Sequence, residues 1–212
     1  SMKNESIKIG ILGAGKVAQT LGGAWAKKGH RVLIGTRNPQ AEKVVAWQKT
    51  SGLTASLGSL EEAATFGDIV LLAINPWSEI EGVLSGLSFA LRGKIIIDVS
   101  NNIEFGEKPK LAFTDRSMGE FVQSLLPESR VVKTMNITPA YLMTTPTQSG
   151  ISPAVGWVSG NDTEAKKIVS KVVKDLGWQE VIDLGGIHAS LLQENIGLIL
   201  TLVISDLMKQ KK

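Results

Sequence analysis

Short apolar runs alternate along the chain with longer segments in which apolar positions recur every three or four residues. This alternation is typical of βαβ units and predicts an α/β fold with a doubly wound, mostly parallel sheet. Several runs are almost continuous Ile, Val and Leu, as expected of strands that helices cover on both faces. The predicted strands are Ile7–Leu12, Arg31–Gly35, Leu53–Ser56, Ile69–Ile74, Lys94–Val99, Arg130–Thr134, Ala154–Ser159 and Glu180–Asp183.

Helices are predicted between these strands. Lys16–Lys28 ends at Gly29, a residue suited to a left-handed helix cap. Ser59 and Glu62 form a capping-box pattern that predicts a short helix. A further helix is predicted from Asp162 to Gly177. Two irregular polar segments separate the other elements, and we expect them to be functional loops, the first a long loop or lid: Asn101–Ser117 and Ile137–Ser152.

The last segment, His188–Lys209, predicts a terminal helix with almost no polar face. A helix that is apolar all round must be buried all round. The rest of the chain can cover one side, so we expect a partner subunit to cover the other and predict a homodimer. The predicted division is therefore a nucleotide-binding domain over 2–185 and a C-terminal helix over 186–212 for packing or dimerisation.

A glycine loop follows the first predicted strand and opens the first helix. In the run Gly13-Ala14-Gly15-Lys16-Val17-Ala18, Gly13 permits a tight turn and Gly15 lets the backbone approach a pyrophosphate. Ala18 allows close packing of the helix on the strand. The helix N-terminus supplies free N–H groups for phosphates. The pattern predicts a Rossmann fold that binds a dinucleotide; the alternative is a glycine turn in an α/β protein without a nucleotide.

The end of the second strand predicts which dinucleotide binds. An NAD-binding protein usually has an acidic residue there, which accepts hydrogen bonds from the ribose hydroxyls. Here Thr36, Arg37 and Asn38 follow the strand and provide a hydroxyl, a guanidinium and an amide. A guanidinium suits a phosphate, so we predict NADP(H) rather than NAD(H). The alternative is that Arg37 is an ordinary surface residue in a turn set by Pro39.

Composition narrows the classes of function further. The net charge of +3 comes without a basic stripe, so we expect no nucleic-acid partner. The chain has no cysteine, which excludes thiolate metal sites and a cysteine nucleophile; no metal site is predicted. We expect no signal peptide, because the N-terminal residues lead directly into a strand. The uncharged run between Asn195 and Asp206 is shorter than the roughly 20 residues of a membrane span, so we expect a cytoplasmic protein without a membrane partner.

Beyond these motifs the chain resembles a known family over nearly its full length. The resemblance is carried by Ile7–Pro39, which includes the pair Gly29-His30, and by the runs Asp68–Ile74, Lys94–Asp98 and Val131–Asn136. It is to the NADP oxidoreductases that depend on the deazaflavin coenzyme F-420. The chain is also similar to the NADPH-binding domain of membrane metalloreductases, which pass electrons through a flavin.

The resemblance implies NADP(H) at the carboxyl edge of the sheet and a redox carrier facing its nicotinamide: deazaflavin, FMN or FAD. Gly13, Gly15, Lys16 and Val17 would contact the pyrophosphate. Thr36, Arg37 and Asn38 would hold the adenosine phosphate. The nicotinamide half would lie near Asn75, Pro76, Trp77, Ser100, Asn101 and Asn136. Thr134-Met135 departs from the family's small-aromatic pair, which leaves the identity of the second substrate open.

Catalytic residues are not evident from the sequence. Hydride transfer to a flavin-like carrier needs alignment of two rings rather than a strong acid or base. A reductase of a small carbonyl or imine would instead need a proton donor, for which Tyr141 and His188 are the candidates. His30 is expected to be structural, and Lys133 a strand-end charge or packing stem. A non-catalytic NADP(H) sensor or subunit is the third possibility.

Overall fold

The computed structural model describes residues 5–150 and 152–211, so the predicted domain start at residue 2 lies outside the described residues. Six parallel strands form one sheet in the order β3-β2-β1-β4-β5-β8. This order and the helices on both faces confirm the predicted Rossmann-type α/β fold. The strands of this sheet are β1 Lys8–Leu12, β2 Arg31–Gly35, β3 Ala55–Gly58, β4 Ile69–Leu72, β5 Ile95–Asp98 and β8 Arg130–Lys133.

The other strands form two small sheets. β9 (Val155–Val158) and β10 (Glu180–Asp183) pair in parallel, and an antiparallel bridge between Lys133 and Ser159 joins them to the edge of the main sheet. β6 (Ile103–Glu104) and β7 (Lys110–Leu111) form an antiparallel hairpin within the segment predicted as a loop or lid.

Eight α-helices connect and cover these strands in the described residues. They bury two apolar layers, one on each face of the main sheet, which explains the nearly continuous apolar strands. The third strand begins two residues later than predicted because Leu53 is fully exposed. The helices are α1 Lys16–Lys27, α2 Glu42–Ser51, α3 Leu60–Phe66, α4 Ile80–Ser85, α5 Met118–Leu125, α6 Ala140–Met143, α7 Thr163–Lys174 and α8 Ser190–Gln210.

The terminal helix α8 packs with its polar side inward. Its buried residues are Ser190, Gln193, Glu194 and Gly197, which recur at the spacing of one helix face. The prediction that this helix has almost no polar face is therefore wrong, because the residues that it buries most deeply are polar or small. An apolar stripe faces outward, and its exposed members are Leu192, Ile199, Leu200, Val203, Ile204, Leu207 and Met208.

The helical segment that ends the chain is longer than its uncharged run. Ile187–Gln210 forms 24 helical residues with a mean hydropathy of 1.5 over its most apolar window, of which 28% is buried. By length and composition alone this helix is long enough to cross a membrane. The uncharged run between Asn195 and Asp206, which is shorter than a membrane span, is only part of this helix, because the helix continues past Asp206 to Gln210.

Candidate functional site

A cleft crosses the carboxyl edge of the sheet where β1 and β4 are neighbours. The chain order reverses at this point, which is where ligands bind in open α/β sheets. The cleft consists of two adjoining cavities of about 200 Å³ and about 360 Å³, which share Gly15, Ala73, Ile74 and Asn75. The first is also lined by Gly13, Ala14, Thr36, Arg37, Leu60, Glu79 and Val83. The second is also lined by Lys16, Val17, Leu72, Trp77, Val99, Ser100, Asn101, Ile103, Phe105 and Thr201.

The glycine loop lies between the two cavities. Gly13 has a φ of +112°, and a Cβ there would lie 2.2 Å from the carbonyl oxygen of Ala73. Both the backbone conformation and the contact with β4 therefore require glycine. Gly15 differs, because a Cβ there would have no atom within 4 Å. It precedes α1 without a side-chain cap, which leaves the first N–H groups of that helix facing open space beside the cleft.

Arg37 and Thr36 lie at one end of the cleft, beyond the end of β2. Arg37 is exposed, and its guanidinium makes no hydrogen bond or ion pair with any residue in the described part of the chain. Thr36 Oγ1 accepts a hydrogen bond from the backbone N–H of Asn38 at 3.2 Å, which shapes the turn. Asn38 does not line either cavity. At this end of the cleft, an exposed arginine without a partner in the described part of the chain therefore lies beside the glycine loop.

The other end of the cleft is formed by the loops after β4 and β5. Asn75 and Trp77 line it from one side, and Trp77 packs edge-on against Phe113 with ring centroids 5.8 Å apart. Ser100 and Asn101 line it from the other side. The Ser100 hydroxyl is buried and has no hydrogen-bond partner within residues 5–150 and 152–211. Pro76 is exposed and does not line the cavity.

Asn136 lies behind the cleft. Its side-chain Nδ2 donates to Asn101 Oδ1 at 2.8 Å and to the carbonyl of Gln193 at 3.0 Å. Asn101 Nδ2 returns a hydrogen bond to the Asn136 carbonyl at 2.8 Å. Asn136 thus supports Asn101, which lines the cavity, and its own amide donor is used within the protein.

Neither candidate proton donor lines the cleft. Tyr141 lies on α6, a helix that packs against α1, and is 65% exposed. His188 lies in a 3₁₀ turn before α8, and its Nδ1 is 3.3 Å from Glu120 Oε2. The hydrogen bonds of Glu120 to Ser117 and His188 hold the pKa of its carboxyl below the ordinary value, against the effect of burial. His30, expected to be structural, is buried and lies 2.8 Å from Asp175.

Lys133, predicted to be a strand-end charge or a packing stem, is the last residue of β8 but belongs to a buried charged cluster. It is fully buried, and its Nζ lies 3.1 Å from Asp98 Oδ2 and 3.2 Å from Glu194 Oε2. Burial alone would lower the pKa of Lys133, but the two carboxylates outweigh that effect and hold the pKa above its ordinary value. Burial raises the pKa of Glu194, although Lys133 acts to lower it. The sequence interpretation did not include Asp98 or Glu194 in the site.

The residues of the cleft fit NADP(H). The free guanidinium of Arg37 matches a 2′-phosphate, and the uncapped start of α1 above Gly15 matches a pyrophosphate. The unpartnered hydroxyl of Ser100 offers a hydrogen-bonding group at the opposite end, where an amide-bearing ring would be placed.

Comparisons with known proteins agree with this architecture. Residues 8–102 match the family model described as NADP oxidoreductase coenzyme F420-dependent. The chain is 33% identical to the F420-dependent NADP reductase of Methanocaldococcus jannaschii, over 90% of this chain and 89% of that protein. A crystal structure from Arthrobacter sp. FB24, assigned as an F420-dependent NADP-reductase, superimposes with a TM-score of 0.83 at 34% identity and covers 90% of each chain.

A second kind of relative is larger. The chain is 31% identical to the metalloreductase STEAP3 of Rattus norvegicus over 88% of its own length, but it spans only 35% of that protein. The match to the reductase of Methanocaldococcus jannaschii, in contrast, spans nearly the whole of that relative at 33% identity. This chain therefore belongs to the family of coenzyme F420-dependent NADP oxidoreductases.

Proposed function

We propose that this oxidoreductase transfers a hydride between NADP(H) and a deazaflavin or flavin carrier at the carboxyl edge of its sheet. The observation that carries the proposal is the pair of adjoining cavities with Arg37 at one end and Ser100 at the other; within residues 5–150 and 152–211, neither the Arg37 guanidinium nor the Ser100 hydroxyl has a partner. Arg37 and Thr36, with Asn38 shaping their turn, hold the adenosine phosphate, whereas Gly13, Gly15, Lys16 and Val17 surround the pyrophosphate. Asn75, Trp77, Ser100 and Asn101 face the nicotinamide half, and Asn136 supports Asn101.

The open side of the cleft suits a planar carrier. Phe105, which directly follows β6, and Thr201 on α8 line both the cleft and a neighbouring trough of about 460 Å³. The trough is lined mainly by apolar side chains and also by Lys209. A flat ring can enter between the hairpin and α8 toward the nicotinamide, and an anionic tail would meet the lysine. When bound, the cofactor and the carrier supply the redox chemistry, and the chain aligns them and excludes water.

A reductase of small carbonyls or imines needs a proton donor at the reacting carbon. Tyr141 and His188 are not among the residues that line the cleft. This placement favours the carrier over the carbonyl as second substrate. The relatives named as reductases likewise favour an active enzyme over a sensor.

The test is to follow NADPH oxidation by the purified protein with F-420, FMN, FAD, ferric chelates and small carbonyls, with NADH as the control cofactor. Turnover with F-420 or a flavin, and with NADPH much faster than NADH, is the expected result. Turnover with carbonyls alone would overturn the carrier assignment. Tight NADPH binding without turnover on any member of the panel would favour a sensor or a subunit.

We also propose that a second copy of the chain covers the apolar stripe of α8, so that segment 186–212 serves as a dimerisation helix of a cytoplasmic protein. Monomeric proteins rarely expose large contiguous apolar patches, and this stripe runs from Leu192 to Met208. Because Ile204 and Met208 also line the trough, a partner on this face would close one wall of the carrier site.

Size-exclusion chromatography with light scattering measures the molar mass of the protein in solution and so tests the dimer. The double variant Ile199→Glu, Val203→Glu should be monomeric, whereas Leu53→Glu, at a fully exposed position outside α8, should leave the dimer intact. A wild-type monomer that sediments with anionic phospholipid vesicles would overturn the proposal and favour a membrane surface as the cover.

A further inference from the structure

The buried lysine of β8 is the centre of a charged cluster behind the cleft. Asp98, Lys133 and Glu194 are each at most 1% exposed, and they come from β5, β8 and α8. Lys133 Nζ lies within 3.2 Å of both carboxylates. Two carboxylates thus share one ammonium in the interior.

This cluster holds the backbone of Ser100 from both sides. The Ser100 N–H donates to Asp98 Oδ1 at 2.9 Å, and the Ser100 carbonyl accepts a hydrogen bond from Lys133 Nζ. The next residue, Asn101, is held through Asn136, whose side chain also donates to the Gln193 carbonyl. The loop that lines the second cavity is therefore held both by Asp98, two residues before Ser100, and by groups from β8 and α8.

Glu194 connects the cluster to a third element. Its two carboxylate oxygens accept hydrogen bonds from the backbone N–H groups of Met118 at 2.6 Å and Gly119 at 3.1 Å, in the first turn of α5. The same face of α8 approaches Asn101 closely, since a Cβ on Gly197 would lie 2.8 Å from Asn101 Oδ1. Glu194 thus joins α8 to α5 directly and to the loop after β5 through Lys133.

Such a cluster is a poor source of stability, because desolvation of its charges offsets most of their attraction. Its contribution is geometric, since each charge has partners in fixed directions. The chain contains a second lysine paired with a carboxylate, here a single half-exposed one, and this lysine does not line the cleft. Lys166 on α7 lies 2.9 Å from Asp183 and donates to the Gly185 carbonyl.

We propose that Asp98, Lys133 and Glu194 are positioning residues that hold Ser100 and Asn101 in place for the nicotinamide half of NADP(H). The inference rests on the proposed function, because it assigns the nicotinamide to this end of the cleft. It predicts that the cluster affects binding of the nicotinamide half and not of the adenosine half.

The experiment compares two ligands by calorimetry. In the proposed binding mode NADPH occupies both ends of the cleft, whereas adenosine 2′,5′-diphosphate lacks the nicotinamide half and occupies only the adenosine end. Each is titrated into the wild-type protein, Glu194→Gln, Lys133→Met and the control Lys166→Met. The fluorescence of bound NADPH provides a second measure of how the nicotinamide is held.

We expect the Kd for NADPH to rise about tenfold in Lys133→Met and about threefold in Glu194→Gln. The fluorescence of the bound nicotinamide should change in both variants. The Kd for adenosine 2′,5′-diphosphate should stay within about twofold of the wild-type value, and Lys166→Met should change neither Kd. Glu194→Gln keeps the shape of the side chain, so it decides the test if Lys133→Met fails to fold.

Equal losses for both ligands would show general structural damage and would overturn the positioning role. Unchanged NADPH binding in Glu194→Gln would overturn it as well. Failure of the wild-type protein to bind NADPH would instead refute the proposed function, which separates the two conclusions.

Discussion

The two ends of the cleft are built in different ways. The proposed adenosine end consists of residues close together along the chain, from Gly13 to Val17 and from Thr36 to Asn38, and its cation, Arg37, is exposed and has no ion-pair partner among the described residues. Behind the proposed nicotinamide end lie Asp98, Lys133 and Glu194, which are far apart in the sequence and fully buried. In the proposed binding mode, an exposed charge receives the ligand at one end, whereas paired and buried charges at the other end position the residues that receive it.

The largest expected effect comes from breaking the buried cluster. Lys133→Met leaves two buried carboxylates without a counter-ion, so we expect the free energy of unfolding to fall by about 3–5 kcal/mol. Lys166→Met should cost less, because Asp183 is half exposed and remains solvated when its partner is lost. Urea denaturation of both variants measures the difference, and equal losses would contradict the contrast between buried and exposed pairs.

Substitutions at the two loop glycines should separate an effect on packing from an effect on ligand binding. Gly13→Ala forces a side chain against the Ala73 carbonyl at a positive φ, so we expect it to destabilise the protein by about 1–3 kcal/mol. In Gly15→Ala the new methyl group lies in open space, so the unfolding midpoint should stay unchanged while NADPH binding weakens. Thermal unfolding and NADPH titration on the same samples test both; a stable Gly13→Ala variant would be the contrary result.

Arg37→Ala tests the free charge of the adenosine end. Loss of a charge-assisted hydrogen bond to a phosphate should cost about 1.5–3 kcal/mol of NADPH binding. NADH lacks this phosphate and should bind almost as before. Affinities for both cofactors, measured side by side, decide the role, and matching losses would remove Arg37 from the site.

Ser100→Ala should have the smallest effect. Its hydroxyl has no partner in the described part of the chain, so no internal hydrogen bond is lost and the unfolding midpoint should not fall. The loss in NADPH affinity should be about 0.5–1.5 kcal/mol, with no change for adenosine 2′,5′-diphosphate. Weaker binding of the smaller ligand would place Ser100 outside the nicotinamide end.

The sequence predicted one end of the cleft better than the other for a physical reason. A glycine loop and the residues after β2 act through local backbone geometry, so their order along the chain reveals their place. Asp98 and Lys133 are 35 positions apart and meet only because β5 pairs with β8. A lysine near the end of a predicted strand looks like a surface charge until the pairing of strands is known.

The terminal helix shows a similar limit. Its composition predicted a helix, but the apolar content did not show which side of the helix packs against the rest of the protein. The spacing of Ser190, Gln193, Glu194 and Gly197 carries that signal, because these positions share one helix face. The hairpin after β5 was missed because its strands are only two residues long.

The outward apolar stripe of α8 has a consequence for how stability should be reported. When a second copy covers such a surface, association is coupled to folding, and the unfolding temperature rises with protein concentration by mass action. A melting curve at a single concentration then describes the assembly rather than the chain. If the proposed dimer forms, dilution would also remove the partner from the α8 side of the proposed carrier site, and specific activity should fall as the enzyme is diluted.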